Sequence, residues 1–322
     1  MRAAAASWTL PDRGTVVSFL LKYGVYLAIA ILLVYNFFFT PNFFEFGNFR
    51  TQFVQVVPVL IVGLGMALVI GAEGIDLSVG AVMALAAAVI PLYLGYGFFP
   101  AVLIAVAAGA LIGVANGAMV AFIGVQPIVA TLSLMVAGRG VALLVAHEQM
   151  KQVIDPGILA IGRGDLFGIP WNVIIALAAI LATYVLVNRT TFGKQLVAIG
   201  GSRRAAELSG LPVKRILMII YILCAVLAAI AGVIGTARLG ASVPSTLGNL
   251  IELSAITAVV IGGTPLTGGR IRVVGTVAGA LLLQFISATL IKHNVPDAYS
   301  QIAQALIILF AVYIQRGKAA VR

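Results

Sequence analysis

The chain has 322 residues, of which 62% are hydrophobic and only 9% are charged. Soluble domains carry about 25% charged residues, so this composition excludes a soluble globular protein and predicts that the lipid bilayer surrounds most of the chain. The formal net charge of +10 would suggest nucleic-acid binding in a soluble protein. In a membrane chain such charges instead mark the connections that face the cytoplasm, and we expect no nucleic-acid partner.

Long apolar runs predict the spanning helices, each of which needs about 20 residues to cross the hydrocarbon core. We expect the first helix to be retained, because no small-residue cleavage site follows the basic segment 1–22. An apolar piece at 251–262 is too short to cross and predicts a half-helix. The nine predicted spans are 16–38, 51–70, 76–94, 100–123, 127–146, 171–188, 215–237, 273–291 and 299–315. The predicted fold class is an all-α polytopic membrane protein with about ten hydrophobic helical segments in a single transmembrane domain, 1–322.

The lysines and arginines set the predicted orientation of these spans. If successive connections alternate between the two sides, with the N-terminus inside, 14 of these side chains lie inside and 5 outside, and Arg139 falls within a span. The positive-inside rule favours this arrangement over its mirror image. We therefore expect both termini in the cytoplasm and 189–214 as the longest inside connection.

The run 73–80, Glu-Gly-Ile-Asp-Leu-Ser-Val-Gly, is the first polar interruption between spans. Carboxylates and glycines at membrane depth predict a broken helix, since irregular backbone is tolerated there only when it is buried in protein or lines a cavity. Asp76 fits the N-cap of the following helix, and we favour this role over direct substrate binding. Glu73, Asp76 and Ser78 remain candidates for the translocation path or its gate.

Three more positions, Arg139, Glu252 and Thr264, are candidates for the same path. Arg139 lies between two glycines inside a span, where it is expected to pair with a carboxylate, and Glu252 is available at a similar depth together with Glu73 and Asp76. Thr264 lies in the glycine- and proline-rich turn 261–270, directly after the half-helix. A broken membrane element of this kind often borders a translocation route.

The inside connection contains a short, well-delimited helix. Ser202 fits an N-cap, 203–209 the helix body, Gly210 a glycine just past its end, and Pro212 a stop. Seven residues are too few for a stable isolated helix, and the first-turn cations Arg203 and Arg204 oppose the helix dipole. The helix therefore needs a partner, which is either a cytoplasmic subunit or anionic lipid headgroups. The residues predicted to couple the chain to a cytoplasmic subunit are Ser202, Arg203, Arg204, Ala205, Ala206, Glu207, Leu208, Ser209 and Gly210.

The sequence offers no catalytic site of its own. It lacks the loop G-x-x-x-x-G-K-[ST] that cradles nucleotide phosphates, so any ATP chemistry must belong to a partner. Cys224 is the only cysteine and lies in an apolar run, which leaves no disulfide framework and no metal site. We expect no catalytic residue, metal or cofactor on this chain.

Three motifs in order over about 55–290 resemble the permease family of bacterial ABC importers for ribose, xylose, galactosides and related sugars. The narrower run 126–140 is similar to galactofuranose-importer permeases. The three motifs are Gly74-Ile75-Asp76-Leu77-Ser78-Val79-Gly80; Gly193, Ala198-Ile199-Gly200-Gly201, Ala205-Ala206 and Ser209-Gly210; and Ala258-Val259-Val260-Ile261-Gly262-Gly263-Thr264 with Leu266 and Gly268-Gly269-Arg270.

The resemblance implies a fold like the vitamin B12-type importers, in the bacterial inner membrane. It implies a second permease copy, identical or a sister chain, a periplasmic sugar-binding protein, and cytoplasmic ATPase subunits that use ATP and Mg²⁺. The loop helix 203–209 would dock into the ATPase. The chain departs from the pattern at Glu73, Ser254 and Ile271, where the family usually has glycine, aspartate and glycine.

Three alternatives to a sugar importer remain at this point. A branched-chain amino-acid importer permease shares the architecture. A secondary transporter would show internal hydropathy repeats and a paired ion site, and we find no clear repeat. An intramembrane aspartyl protease would need a second acid to share a proton with Asp76, and none has a matching context.

Overall fold

The computed structural model describes residues 13–296, 298–306 and 309, with side chains from Tyr23 onward. A 3₁₀ turn (Leu94–Tyr96) extends the third helix, and a π-helical turn (Met119–Ile123) extends the fourth. The helices are α1 (Arg13–Phe39), α2 (Phe46–Gly71), α3 (Val79–Tyr93), α4 (Phe98–Ala118), α5 (Pro127–Val145), α6 (Pro156–Arg163), α7 (Trp171–Arg189), α8 (Thr191–Gly201), α9 (Arg203–Leu208), α10 (Val213–Leu239), α11 (Ile251–Ile261) and α12 (Val273–Lys292).

Within the described residues, seven helices are long and apolar enough to cross a membrane by length and composition: α2, α3 with its 3₁₀ turn, α4 with its π turn, α5, α7, α10 and α12. Each falls on a predicted span, and α11 confirms the half-helix. The predicted span 16–38 falls on α1, whose described apolar part, Tyr23–Phe39, is shorter than the others. Of the predicted span 299–315, residues 299–306 and 309 are described and helical, and the other residues lie outside the described ones, so the total of about ten segments stays a prediction.

Helices α2, α3 and α10 form the buried centre, whereas α4, α5 and α7 expose most of their surface. Small residues allow the central helices to approach closely. A Cβ atom at Gly65 of α2 would lie 2.9 Å from the Cα of Cys224 on α10. Cys224 is therefore a fully buried small side chain, as its apolar sequence context indicates.

The connections gather into two groups at opposite ends of the bundle. At one end, the Gly269 amide donates to the Gly71 carbonyl at 3.0 Å, and Gly200 packs against both residues. At the other end, the connection 146–170 packs on the end of α10, where the Val153 amide donates to the Gly240 carbonyl at 2.9 Å. This grouping matches the predicted alternation of connections, while the assignment of the first group to the cytoplasm stays a prediction.

Four two-residue strands lie at the second end. Strand β1 (Lys151–Gln152) pairs antiparallel with β4 (Ala241–Ser242), with Lys151 opposite Ser242. Strand β2 (Asp165–Leu166) pairs antiparallel with β3 (Ile169–Pro170) in a tight hairpin. Helix α6 lies between the two pairs and begins at a clear sequence signal, because Asp155 accepts a hydrogen bond from the Ile158 amide at 3.0 Å and proline follows it.

Candidate functional site

The α2–α3 break, residues 72–78, is the first interruption that the sequence predicts, and the structure confirms it. Helix α2 ends at Gly71, α3 begins at Val79, and Glu73 turns the chain with a φ of +65°. The two carboxylates of the break are separated, which corrects the expectation that both lie at membrane depth. Glu73 is exposed beside Gly268, at the end of the bundle that also carries α8, whereas Asp76 is completely buried.

Asp76 lies two residues before the N-cap of α3 and stabilises the start of this helix. Its Oδ1 accepts hydrogen bonds from the amide of Ser78 at 2.9 Å and from the Ser78 hydroxyl at 2.7 Å. Ser78, and not Asp76, is the N-cap residue. The side-chain amide of Asn116 on α4 donates to the same hydroxyl at 2.8 Å and ties the break to the neighbouring helix. The contacts of Asp76 therefore agree with the structural role that the sequence favours, although Asp76 lies two residues before the N-cap position instead of occupying it.

Three buried polar atoms of this cluster lack a hydrogen-bond partner among the described residues: Asp76 Oδ2, Asn116 Oδ1 and the Tyr221 hydroxyl. Tyr221 lies on α10, and a Cβ atom at Gly74 would come within 2.8 Å of its hydroxyl oxygen. Gly74 is thus required for the close approach of the break to α10. Sequence reasoning missed Asn116 and Tyr221, since an isolated polar residue in a long apolar helix gives no indication of its neighbour.

Arg139 on α5 contacts backbone oxygens. Its Nη1 donates to the Pro244 carbonyl at 3.0 Å and to the Leu247 carbonyl at 2.8 Å. Glu252 borders the same space, because a Cβ atom at Gly80 would lie 2.8 Å from Glu252 Oε2 and 3.4 Å from Arg139 Nη2. The described residues contain no ion pair within 4.0 Å between Arg139 and a carboxylate; Glu252 attracts Arg139 over a longer distance, and the close contacts of Arg139 are with carbonyl groups.

The segment 240–250 re-enters the bundle, a feature that sequence reasoning missed. It leaves the end of α10 at Gly240, brings Gly248 against Gly80 at the start of α3, and turns into α11 at Leu250 with a φ of +57°. The glycines at 240 and 248, just before a half-helix, are the sequence signal that could have identified it. A cavity of about 390 Å³ opens beside this segment, lined by residues that include Arg238, Thr246 and Asn249.

Thr264 has a structural position in the turn 262–272. It is fully buried, and its hydroxyl accepts a hydrogen bond from the Arg272 amide at 3.0 Å, which fixes the start of α12. Gly262 packs directly against Gly275 in the first turn of α12. The turn therefore joins α11 firmly to α12, and through Gly269 it also contacts the end of α2.

The α8–α9 loop, residues 190–212, is the most exposed of the predicted sites. The structure confirms the helix at Arg203–Leu208 and its N-cap, because Ser202 accepts a hydrogen bond from the Ala205 amide at 3.2 Å. Gly210 has a φ of +75°. The Gly210 amide donates to the Glu207 carbonyl, and the Leu211 amide donates to the Ala206 carbonyl, each at 3.1 Å. This pair of bonds is the Schellman arrangement that ends a helix at glycine.

Helix α9 presents nearly all of its side chains outward. Ala206 is its only buried residue, while Leu208 is 74% exposed. Arg203 forms an exposed ion pair with Glu207 at 3.3 Å, and Arg204 is exposed beside it. Helix α8, which sequence reasoning missed, carries α9 and touches Gly71 through Gly200. A force on α9 can therefore reach the end of α2 and the α2–α3 break through backbone contacts.

Within the described part of the chain, seven helices that are long and apolar enough to cross a membrane, together with interrupted segments at both ends of the bundle, indicate a multi-pass membrane protein. The chain belongs to the family described as the branched-chain amino acid transport system / permease component, whose model matches residues 48–312.

Individual relatives within this family are named for sugars. The chain is 37% identical to the galactofuranose transporter permease protein of Escherichia coli (strain K12), over 90% of this chain and 88% of the relative. It is 38% identical to the ribose import permease protein of the same strain, over 91% and 92%. It is 34% identical to a fructose import permease protein of Bifidobacterium longum (strain NCC 2705), over 84% and 78%. No solved structure matches the chain.

Proposed function

We propose that this chain is the membrane-spanning permease subunit of an ABC importer that carries a monosaccharide of the pentose, galactose or galactofuranose class. The observation that carries the proposal is the exposed, doubly capped helix α9, attached through α8 to the end of α2. Relatives named for ribose, galactofuranose and fructose support a sugar over a branched-chain amino acid.

The proposed assembly places the chain in the bacterial inner membrane with both termini in the cytoplasm. A second permease, identical or a sister chain, completes the pathway, and a periplasmic sugar-binding protein delivers the substrate. Cytoplasmic ATPase subunits bind ATP and Mg²⁺ and dock on the α8–α9 loop. This chain then supplies the route and the coupling element and carries out no chemical step.

The proposed mechanism follows the backbone contacts. Closure of the ATPase subunits displaces α9, and Gly200 transmits the displacement to Gly71 and Gly269. These residues border the α2–α3 break and the turn 262–272, so both interrupted segments shift together. Arg139 and Glu252 lie where the re-entrant segment 240–250 meets α3, which makes this junction the proposed gate.

The docking role can be tested with the double variant Arg204→Ala/Leu208→Ala, co-expressed with the partner ATPase. Both side chains are exposed on α9, so the fold should be retained, while truncating a hot-spot residue of a protein interface costs about 2 kcal/mol or more, which exceeds a tenfold loss of affinity. We expect at least a tenfold loss of co-purified ATPase and the loss of sugar-stimulated ATP hydrolysis in proteoliposomes.

The matched control is Leu103→Ala, which removes a leucine of similar exposure, 70% against 74%, from α4. It should leave ATPase binding and hydrolysis unchanged. Unchanged coupling in the α9 variant would show that the docking assignment is wrong. Sugar uptake by the purified chain alone, without ATP, would replace the ABC assignment by a secondary transporter.

A further inference from the structure

A second pocket, of about 340 Å³, lies between α1, α7 and the start of α12. It is on the end of the bundle that carries the α8–α9 loop, and it is separate from the proposed gate at Arg139. None of the described residues that line it is acidic. The lining residues are Tyr23, Tyr26, Tyr184, Asn188, Arg270, Ile271, Arg272, Val273, Val274 and Gly275.

Two arginines give this pocket its charge. Arg270 is exposed, and Arg272 is half-buried with its backbone fixed by Thr264. Burial lowers the pKa of Arg272 and repulsion from Arg270 lowers it further, although a guanidinium remains protonated at any physiological pH. Two cations held this close favour a shared anion between them.

The start of α12 adds to the positive potential. Val273, Val274 and Gly275 form its first turn within the pocket, and the N-cap residue Arg272 makes no side-chain capping hydrogen bond. The free amides and the helix dipole at such an end favour negative charge. Guanidinium groups and helix amides together are well suited to the oxygens of a phosphate group.

The other walls of the pocket have the character of a lipid interface. Tyr23 and Tyr26 on α1 and Tyr184 on α7 are all about two-fifths exposed, and tyrosine is enriched where a membrane meets water. Exposed apolar side chains continue from them along successive turns toward the middle of the membrane. These are Leu27 and Ile31 on α1, and Leu181 and Leu177 on α7. The pocket thus opens onto a surface that can accommodate acyl chains.

We propose that this pocket binds the headgroup of an anionic phospholipid. The phosphate lies between Arg270, Arg272 and the start of α12, the tyrosine hydroxyls contact the headgroup, and the acyl chains follow α1 and α7. A basic pocket between membrane helices is a recognised form of anionic lipid site. Because Gly269 of the same turn is bonded to Gly71, a bound lipid would also hold the turn that contacts the proposed coupling path.

The test is native mass spectrometry of the delipidated full-length permease, titrated with phosphatidylglycerol or with phosphatidylcholine. We expect retained phosphatidylglycerol adducts, and at least tenfold weaker binding in Arg270→Gln/Arg272→Gln, since this variant removes both charged hydrogen-bond donors to the phosphate. The matched control is Lys214→Gln/Arg215→Gln, which neutralises two exposed cations at the start of α10 and should keep the adducts.

Several results would overturn the proposal. Equal loss in both double variants would mean general electrostatic attraction, and equal binding of both lipids would mean annular contact. Retention of added inorganic phosphate without lipid would mean a free-anion site, and loss of co-purified ATPase with unchanged lipid binding would mean a protein contact. If the arginine variant does not fold, Tyr26→Phe/Tyr184→Phe replaces it, and a lipid affinity equal to that of the unmodified chain would contradict the proposal.

Discussion

The α2–α3 break and the α8–α9 loop both interrupt apolar helices with a run of polar residues, and they differ in what those residues contact. In the break, Asp76 and Ser78 are completely buried and bond to each other, and the Ser78 hydroxyl also accepts a hydrogen bond from Asn116. In the loop, Arg204 and Leu208 point away from the protein. The buried polar residues define the internal architecture, whereas the exposed helix is left with a surface suited to a partner.

The α2–α3 break and the α8–α9 loop are connected through Gly200. The largest effect on stability is expected from a substitution that adds a side chain at this position. A Cβ atom at Gly200 would overlap the Gly71 carbonyl and lie 2.6 Å from the Gly269 amide nitrogen. Backbone atoms cannot rotate away, so we expect Gly200→Ala to lower the free energy of unfolding by about 2 kcal/mol or more. Thermal unfolding of the purified protein in detergent measures this change.

Gly201→Ala is the matched control, since a Cβ atom at this neighbouring position has open space within 4 Å. It should be neutral or stabilising by up to about 1 kcal/mol, because alanine favours a helix over glycine. If both variants unfold at the same temperature, the two regions are not joined through Gly200 and the proposed path for the displacement is wrong.

A smaller effect on stability is expected from substitutions in the α2–α3 break. Asp76→Ala leaves the Ser78 amide without its acceptor in a buried setting, which should lower the free energy of unfolding by about 1–3 kcal/mol. Asp76→Asn keeps an acceptor oxygen and should be milder. Exposed Glu73→Ala should change stability by less than about 0.5 kcal/mol.

The same series separates the two roles that the sequence leaves open for Asp76. A stability loss accompanied by a proportional loss of transport would support the structural role. Full stability of Asp76→Ala with abolished sugar uptake in proteoliposomes would instead place Asp76 in the translocation path.

The sequence predicted those structural features that depend on interactions between residues close together in the chain. The apolar runs identified the spans and the half-helix at Ile251–Ile261, and Ser202 with Gly210 identified α9. Each of these signals depends on residues within one or two turns of each other. The prediction that 203–209 docks on a partner stays untested by the fold alone, because a cap forms in the same way whether or not a partner is present.

Contacts between distant segments could not be predicted in this way. Glu73 and Asp76 are three residues apart, which is shorter than any hydropathy window, yet one is exposed and the other buried. Arg139 was expected to find a carboxylate, but the re-entrant segment brings the Pro244 and Leu247 carbonyls to it. Which backbone reaches a buried side chain depends on tertiary packing, and a single sequence carries little information about it.

The smallest change in stability is expected for a substitution of Arg203. This substitution distinguishes most directly between a role of Arg203 within the chain and a role in binding a partner. Arg203→Gln removes an exposed ion pair with Glu207, which contributes about 0.3–0.5 kcal/mol. It also removes a cation from the first turn of α9, where the helix dipole disfavours positive charge by about 0.3–1 kcal/mol. The two terms have opposite signs, so the unfolding temperature should hardly move. If sugar-stimulated ATP hydrolysis nevertheless falls, the charge acts on a partner; if hydrolysis is also unchanged, docking depends on the shape of α9 and not on this charge.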